Sequence, residues 1–132
     1  MQAVYLIRQS PFVGIGLDAF PRIGPFVWPN SPSQPGPAFN HAHNLFLQIA
    51  LDTGLFGLAA FVALWFDAIR ATLSIWRTKV DTHLAIGILA AFAVVFVHGL
   101  GDVVVWGTAK SSVVLWILFA LAFGFDKVRE SV

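Results

Sequence analysis

The sequence predicts an all-α membrane protein, with about three transmembrane helices preceded by an irregular Pro/Gly-rich extracytoplasmic loop with short helices. Three observations lead there. Of 132 residues, 58% are apolar and only 11% charged, and the mean hydropathy is +0.78, well outside the balance of soluble domains. Long uncharged runs recur beyond residue 52, and a hydrocarbon core about 30 Å thick needs roughly 20 helical residues to cross it. Six of the seven prolines fall between Pro21 and Pro37, a density that interrupts helices and marks a loop.

The same composition excludes other classes. A net charge of +1, without a Lys- or Arg-rich stripe, provides no footprint for nucleic acid. The absence of cysteine removes disulfides, thiolate chemistry and Cys-type zinc sites.

Residues 1–43 read as a periplasmic loop segment and residues 44–132 as the transmembrane part. The N-terminal stretch MQAVYLIRQSPFVG lacks a basic region followed by a long apolar run, so it does not read as a signal peptide. The first span is expected at about 53–70: Thr53 to Phe66 is free of charge, Arg70 can snorkel, and Asp67 and Arg70 stand at the i, i+3 spacing of an ion pair. A second span is expected at about 84–101, interrupted only by His98. A third, at about 112–127, follows an interfacial or re-entrant approach over 103–110.

Arg70, Arg77 and Lys79 lie between the first two spans, and Lys127 and Arg129 follow the third. Only Lys110 sits in the turn between the second and third. This asymmetry puts the Arg77 side in the cytoplasm. Trp76 and Trp106 fit the two aromatic belts, while Trp65 and Trp116 fall deeper, as packing residues. Residues 1–43 then lie outside with no leader or earlier span to carry them across, so the chain reads as the C-terminal piece of a longer protein whose N-terminal transmembrane helices are missing partners.

The titratable groups gather in HAHNLFLQIALDTGLFG, residues 41–57. An imidazole titrates near neutrality. If Asn44 caps the helix leading into the first span, His43 lies at the positive end of the helix dipole, which favours neutral imidazole. A neutral imidazole can take a proton from a sugar hydroxyl, and a helix start attracts phosphate or pyrophosphate. The alternative is that His41 and His43 simply anchor a helix end at the interface. Asn44, Gln48 and Asp52, at i, i+4 and i+8, form a polar stripe that either lines a wet cleft or marks the part of the helix above the membrane. Gly54 and Gly57 would let another helix backbone approach.

His98 and Asp102 recur at i, i+4 near the outer end of the second span. With His41 and His43 they make a weak His/carboxylate metal pattern. The expectation is instead that they hydrogen-bond to each other or to a neighbouring helix, with no metal and no cofactor. GIGLDA, residues 14–19, has the letters of a dinucleotide fingerprint but no surrounding βαβ unit, so Gly14 and Gly16 read as turn residues. Arg8 and Arg22 are the cations of the outer segment, each a candidate diphosphate clamp or an ordinary solvated side chain.

His43-Asn44, nine residues, then Gly54-Leu-Phe-Gly57 resembles the H-N-x9-G-x-x-G signature of the O-antigen ligase and Wzy-polymerase superfamily of polytopic membrane glycosyltransferases. PFVGIGLDAF resembles the P-x-x-G-x-G-x-x-x-F segment that precedes it in the family's large periplasmic loop, and HGLGD resembles the polar end of a later span. The resemblance implies an enzyme of the bacterial inner membrane, in lipopolysaccharide or polysaccharide biosynthesis, with its histidine motif on the periplasmic side. It would transfer a glycan from undecaprenyl pyrophosphate to an acceptor hydroxyl on lipid A-core, without metal. His43 would be catalytic and arginines would hold the pyrophosphate, which makes Arg8, Arg22, His41 and Asn44 the candidate substrate-binding residues. Gly14, Gly16, Asp52, Gly54 and Gly57 would be motif residues; Asp52 stands where the family commonly has Glu. The fragment alone would be inactive, because its donor site lies upstream. Alternatives are a polymerase or protein O-oligosaccharyltransferase of the same superfamily, or a small non-catalytic membrane protein.

Overall fold

The computed structural model describes residues 2–27, 41–78, 81–103, 106 and 109–130. Five helices follow in order: α1 (Gln2–Gln9), α2 (Phe20–Val27), α3 (Leu45–Thr78), α4 (Thr82–Gly99) and α5 (Ala109–Glu130). No strand occurs among the described residues, so the fold is all-α and the dinucleotide reading of GIGLDA has no sheet to stand on. Leu45–Arg77 and Thr82–Gly99 are long and apolar enough to cross a membrane, and Ser112–Gly124 is a shorter apolar helix. The outer faces agree with a lipid environment: Val94 and Val97 of α4 are each 68% exposed, where a water-soluble helix would carry polar groups. Lys79 and the side chains of Lys110, Lys127 and Arg129, which contribute to the expected orientation, lie outside the described residues, as does the proline-rich stretch 28–40.

Helix α3 is two arms rather than one rod. Gly54 has φ 73° and ψ −175°, far from helical values. The second arm, 55–78, is about 36 Å long at 1.5 Å per residue. In a straight helix Phe46 and Phe61 would stand about 22 Å apart along the axis, yet their ring centroids are 6.4 Å apart. The break therefore bends the arms toward one another.

The core forms where the arms meet α4 and α5. Leu45 and Ile49 of the first arm, Phe61, Trp65 and Ala68 of the second, Ile88 and Phe92 of α4, and Leu115, Phe119 and Ala122 of α5 are buried together. The i, i+4, i+7 spacing of the last three aligns them on one helical face. Aromatic edges interlock at its centre: Trp65 meets Phe92 at 5.2 Å, and Phe61 meets Phe119 at 6.4 Å with planes at 90°, the edge-to-face geometry favoured by ring quadrupoles. Trp65 also lines an apolar groove of about 390 Å³ between α3 and α4 with Phe46, Phe92 and Phe96; its buried indole N–H has no hydrogen-bond partner among the described residues.

One local expectation changes. Arg70 lies over the Phe66 ring at 5.7 Å rather than on Asp67, exchanging an exposed ion pair of small value for a cation–π contact. Helix α2 carries Pro21 in its first turn, where a missing N–H costs nothing. The N-terminal stretch holds the short amphipathic helix α1, whose Ala3 and Leu6 pack with Phe20 and Leu51.

Candidate functional site

The break at Gly54 exposes the groups from which the site is built. In an unbroken helix Leu55 N–H would donate to Leu51 O. Here segment 11–16 partners both: Ile15 N–H donates to Leu51 O at 2.8 Å, Gly16 N–H donates to Asp52 O at 3.0 Å, and Leu55 N–H donates to Pro11 O at 2.7 Å. Phe12 stacks on Phe56 with centroids 5.5 Å apart. Backbones this close admit no side chain. A Cβ on Gly14 would lie 2.6 Å from atoms of Leu51, Asp52 and Gly54, and one on Gly54 would collide with the backbone of Phe12. Both glycines also have positive φ, a conformation that costs other residues energy. Gly54 is thus approached by a loop rather than by the second helix expected, and a Cβ on Gly57 would meet only the side chain of Thr53 in its own helix.

The histidines precede the first arm. Asn44 caps it, accepting from Leu47 N–H on Oδ1 at 2.9 Å and so satisfying one of the donors left free at a helix start. Its Nδ2 donates to Leu100 O at 3.0 Å, just beyond α4. Asn44 thereby joins the start of α3 to the end of α4. His43 is exposed, with φ 51°, and its N–H reaches His41 Nδ1 at 3.3 Å. The two imidazole centroids lie 4.3 Å apart.

Below them the polar stripe turns inward. Gln48 and Asp52 are 4% and 3% exposed, so the stripe forms a buried network and lines no wet cleft. Gln48 Oε1 accepts from Ala42 N–H at 2.8 Å, and its Nε2 donates to Asp52 Oδ1 at 2.9 Å. Trp106 Nε1 donates to the other carboxylate oxygen at 3.0 Å. One chain of hydrogen bonds therefore runs from Trp106 through Asp52 and Gln48 to the backbone between His41 and His43. Trp106 thus bonds Asp52, a partner that nothing local in the sequence pairs with it.

Asp102 meets His41, with Oδ1 3.7 Å from Nδ1, while accepting from Val103 N–H at 2.7 Å. Of the two arrangements expected for His98 and Asp102, a bond to each other or to a neighbouring helix, Asp102 turns to His41 before α3, while a backbone turn joins Asp102 N–H to His98 O at 3.0 Å; His98 itself is exposed. Arg22 pairs with Asp18 at 3.2 Å on the surface, and Arg8 lies exposed in the last turn of α1. Among the described residues no hydrogen bond or ion pair links either arginine to His41, His43 or Asn44.

Residues 1–62 match the family model described as O-antigen ligase. That segment contains both halves of the joint at Gly54, the two histidines and the Asn44 cap, so its two motifs are parts of one structure held together by backbone hydrogen bonds. Asp102 and Trp106, which complete the surroundings of the histidines, lie outside the O-antigen ligase match. No curated protein and no solved structure matches the chain.

Proposed function

We propose that this chain is part of a membrane glycosyltransferase of the O-antigen ligase type, joining a glycan carried on undecaprenyl pyrophosphate to a hydroxyl of lipid A-core. The observation that carries this reading is the exposed His43 imidazole beside a capped helix start, inside the segment that matches the O-antigen ligase model. The acceptor hydroxyl gives its proton to the His43 imidazole as its oxygen bonds to the anomeric carbon. The bond from that carbon to the pyrophosphate oxygen breaks, and undecaprenyl pyrophosphate departs with the electron pair. Arginines balance the charge on the leaving group, with Arg8 and Arg22 as the cations of the matched segment. No step calls for a metal. The histidine motif faces the periplasm, where a lipid-linked glycan and an outer-leaflet acceptor meet.

Replacing His43 with Ala in producing cells tests this. Ladders of glycan-bearing lipopolysaccharide disappear while protein level is unchanged, and His41→Ala is milder. Normal ladders from His43→Ala remove the catalytic assignment, and glycan appearing on protein in place of lipid reassigns the acceptor.

A further inference from the structure

We propose that His41, His43 and Asp102 form a binding site for a zinc-class divalent cation, and that filling it blocks the His43 imidazole. The blocking, unlike the binding, rests on the catalytic reading of His43. Each of the three side chains offers one ligand atom, and these atoms lie within 4.8 Å of one another. Among the described residues they are the one such grouping. A tetrahedral zinc with bonds of 2.0–2.1 Å sets its ligand atoms about 3.3 Å apart. His41 Nδ1 and Asp102 Oδ1, at 3.7 Å, are close to that spacing; ligation requires Nδ1 to release the long 3.3 Å bond it accepts from His43 backbone N–H, and His43 closes the set by a side-chain movement on the order of 1 Å, which its exposure permits.

The supports around the three ligands favour a site over a chance encounter. They come from two separate parts of the chain, the loop before α3 and the turn after α4, and the Asn44 amide bonded to Leu100 O fixes those parts to one another. Val103 N–H orients the Asp102 carboxylate, as hydrogen bonds behind a metal ligand commonly do. Gln48 fixes the backbone between the two histidines. Two imidazoles with one carboxylate suit zinc better than magnesium or calcium, which prefer oxygen. The chain contains no cysteine to compete. A cation held here occupies the lone pair with which His43 would accept the hydroxyl proton, so the site inhibits transfer rather than drives it.

The test is titration of the purified chain in detergent with Zn2+ against a chromophoric chelator. One equivalent binds to wild type. His41→Ala and His41→Gln each weaken binding about 100-fold and Asp102→Asn by at least about 10-fold, with helix content by circular dichroism unchanged, while His83→Ala binds as wild type. Absence of binding to wild type, or His41→Gln binding as tightly, overturns the site. In membranes bearing active protein, Zn2+ suppresses glycan transfer and EDTA restores it. Zinc that binds through these residues without slowing transfer overturns the blocking and leaves the binding intact, which separates failure of the catalytic reading from failure of the site.

Discussion

Leu55 N–H donates to Pro11 O at 2.7 Å, across the break in α3. A proline carbonyl thus takes the donor that a helix would have kept for Leu51. The joint fixes which substitutions the two glycine motifs can tolerate. Gly14→Ala and Gly54→Ala each combine a positive φ with backbone collision and are expected to destabilise by more than about 2 kcal/mol. Gly16→Ala has open space around it, the nearest atom being 4.0 Å from the added carbon, so its loss stays near the conformational cost of about 1–2 kcal/mol. Thermal unfolding in detergent ranks the three; equal losses at positions 14 and 16 contradict the close docking.

Asn44 makes two bonds that substitution separates. Asn44→Ala loses both the cap and the tie to Leu100, for about 1–3 kcal/mol together. Asn44→Asp keeps an acceptor for Leu47 N–H but has no donor for Leu100 O, and should unfold at an intermediate temperature. If Asn44→Asp is as stable as wild type, the link between α3 and α4 contributes nothing.

The buried network predicts losses at residues that touch no substrate. Gln48→Ala leaves Ala42 N–H and one oxygen of Asp52 without partners, and Trp106→Phe frees the other oxygen; each should cost about 1–3 kcal/mol. Gln48→Ala also frees the backbone beside His43, so kcat for glycan transfer should fall more than KM rises. An unchanged kcat in a folded Gln48→Ala protein removes the positioning role.

Topology can be read directly because the native chain has no cysteine. A Leu17→Cys variant places a single thiol at an exposed position. With the inner membrane intact, an impermeant maleimide that has entered the periplasm should label it. Protection there, with labelling only after the membrane is opened, reverses the proposed orientation.

The all-α fold is legible in the sequence because apolar runs of bilayer length have few alternatives: in lipid every backbone group must be bonded within the segment. The cap at Asn44 is legible for a related reason, since its side chain bonds a donor three residues ahead and the pattern is local. The bend at Gly54 is less so. Its glycine reads equally as a packing residue, and the choice depends on Pro11, Ile15 and Gly16 reaching it from another part of the chain. The same holds for Asp52, whose inward turn depends on Trp106, and for Asp102, which reaches His41 in preference to His98 four residues away. Long-range partners leave no periodicity to read.

The joint at Gly54 also bears on the order in which the protein assembles. Until 11–16 arrives, Leu51 O and Leu55 N–H are better satisfied by each other, so the lowest-energy form of α3 on its own is a continuous rod. Bending requires a loop closed between distant residues, a slow event beside helix formation. The first arm therefore holds its final direction only while segment 11–16 is docked, and the aim of the histidines depends on that segment lying on the same side as the start of α3.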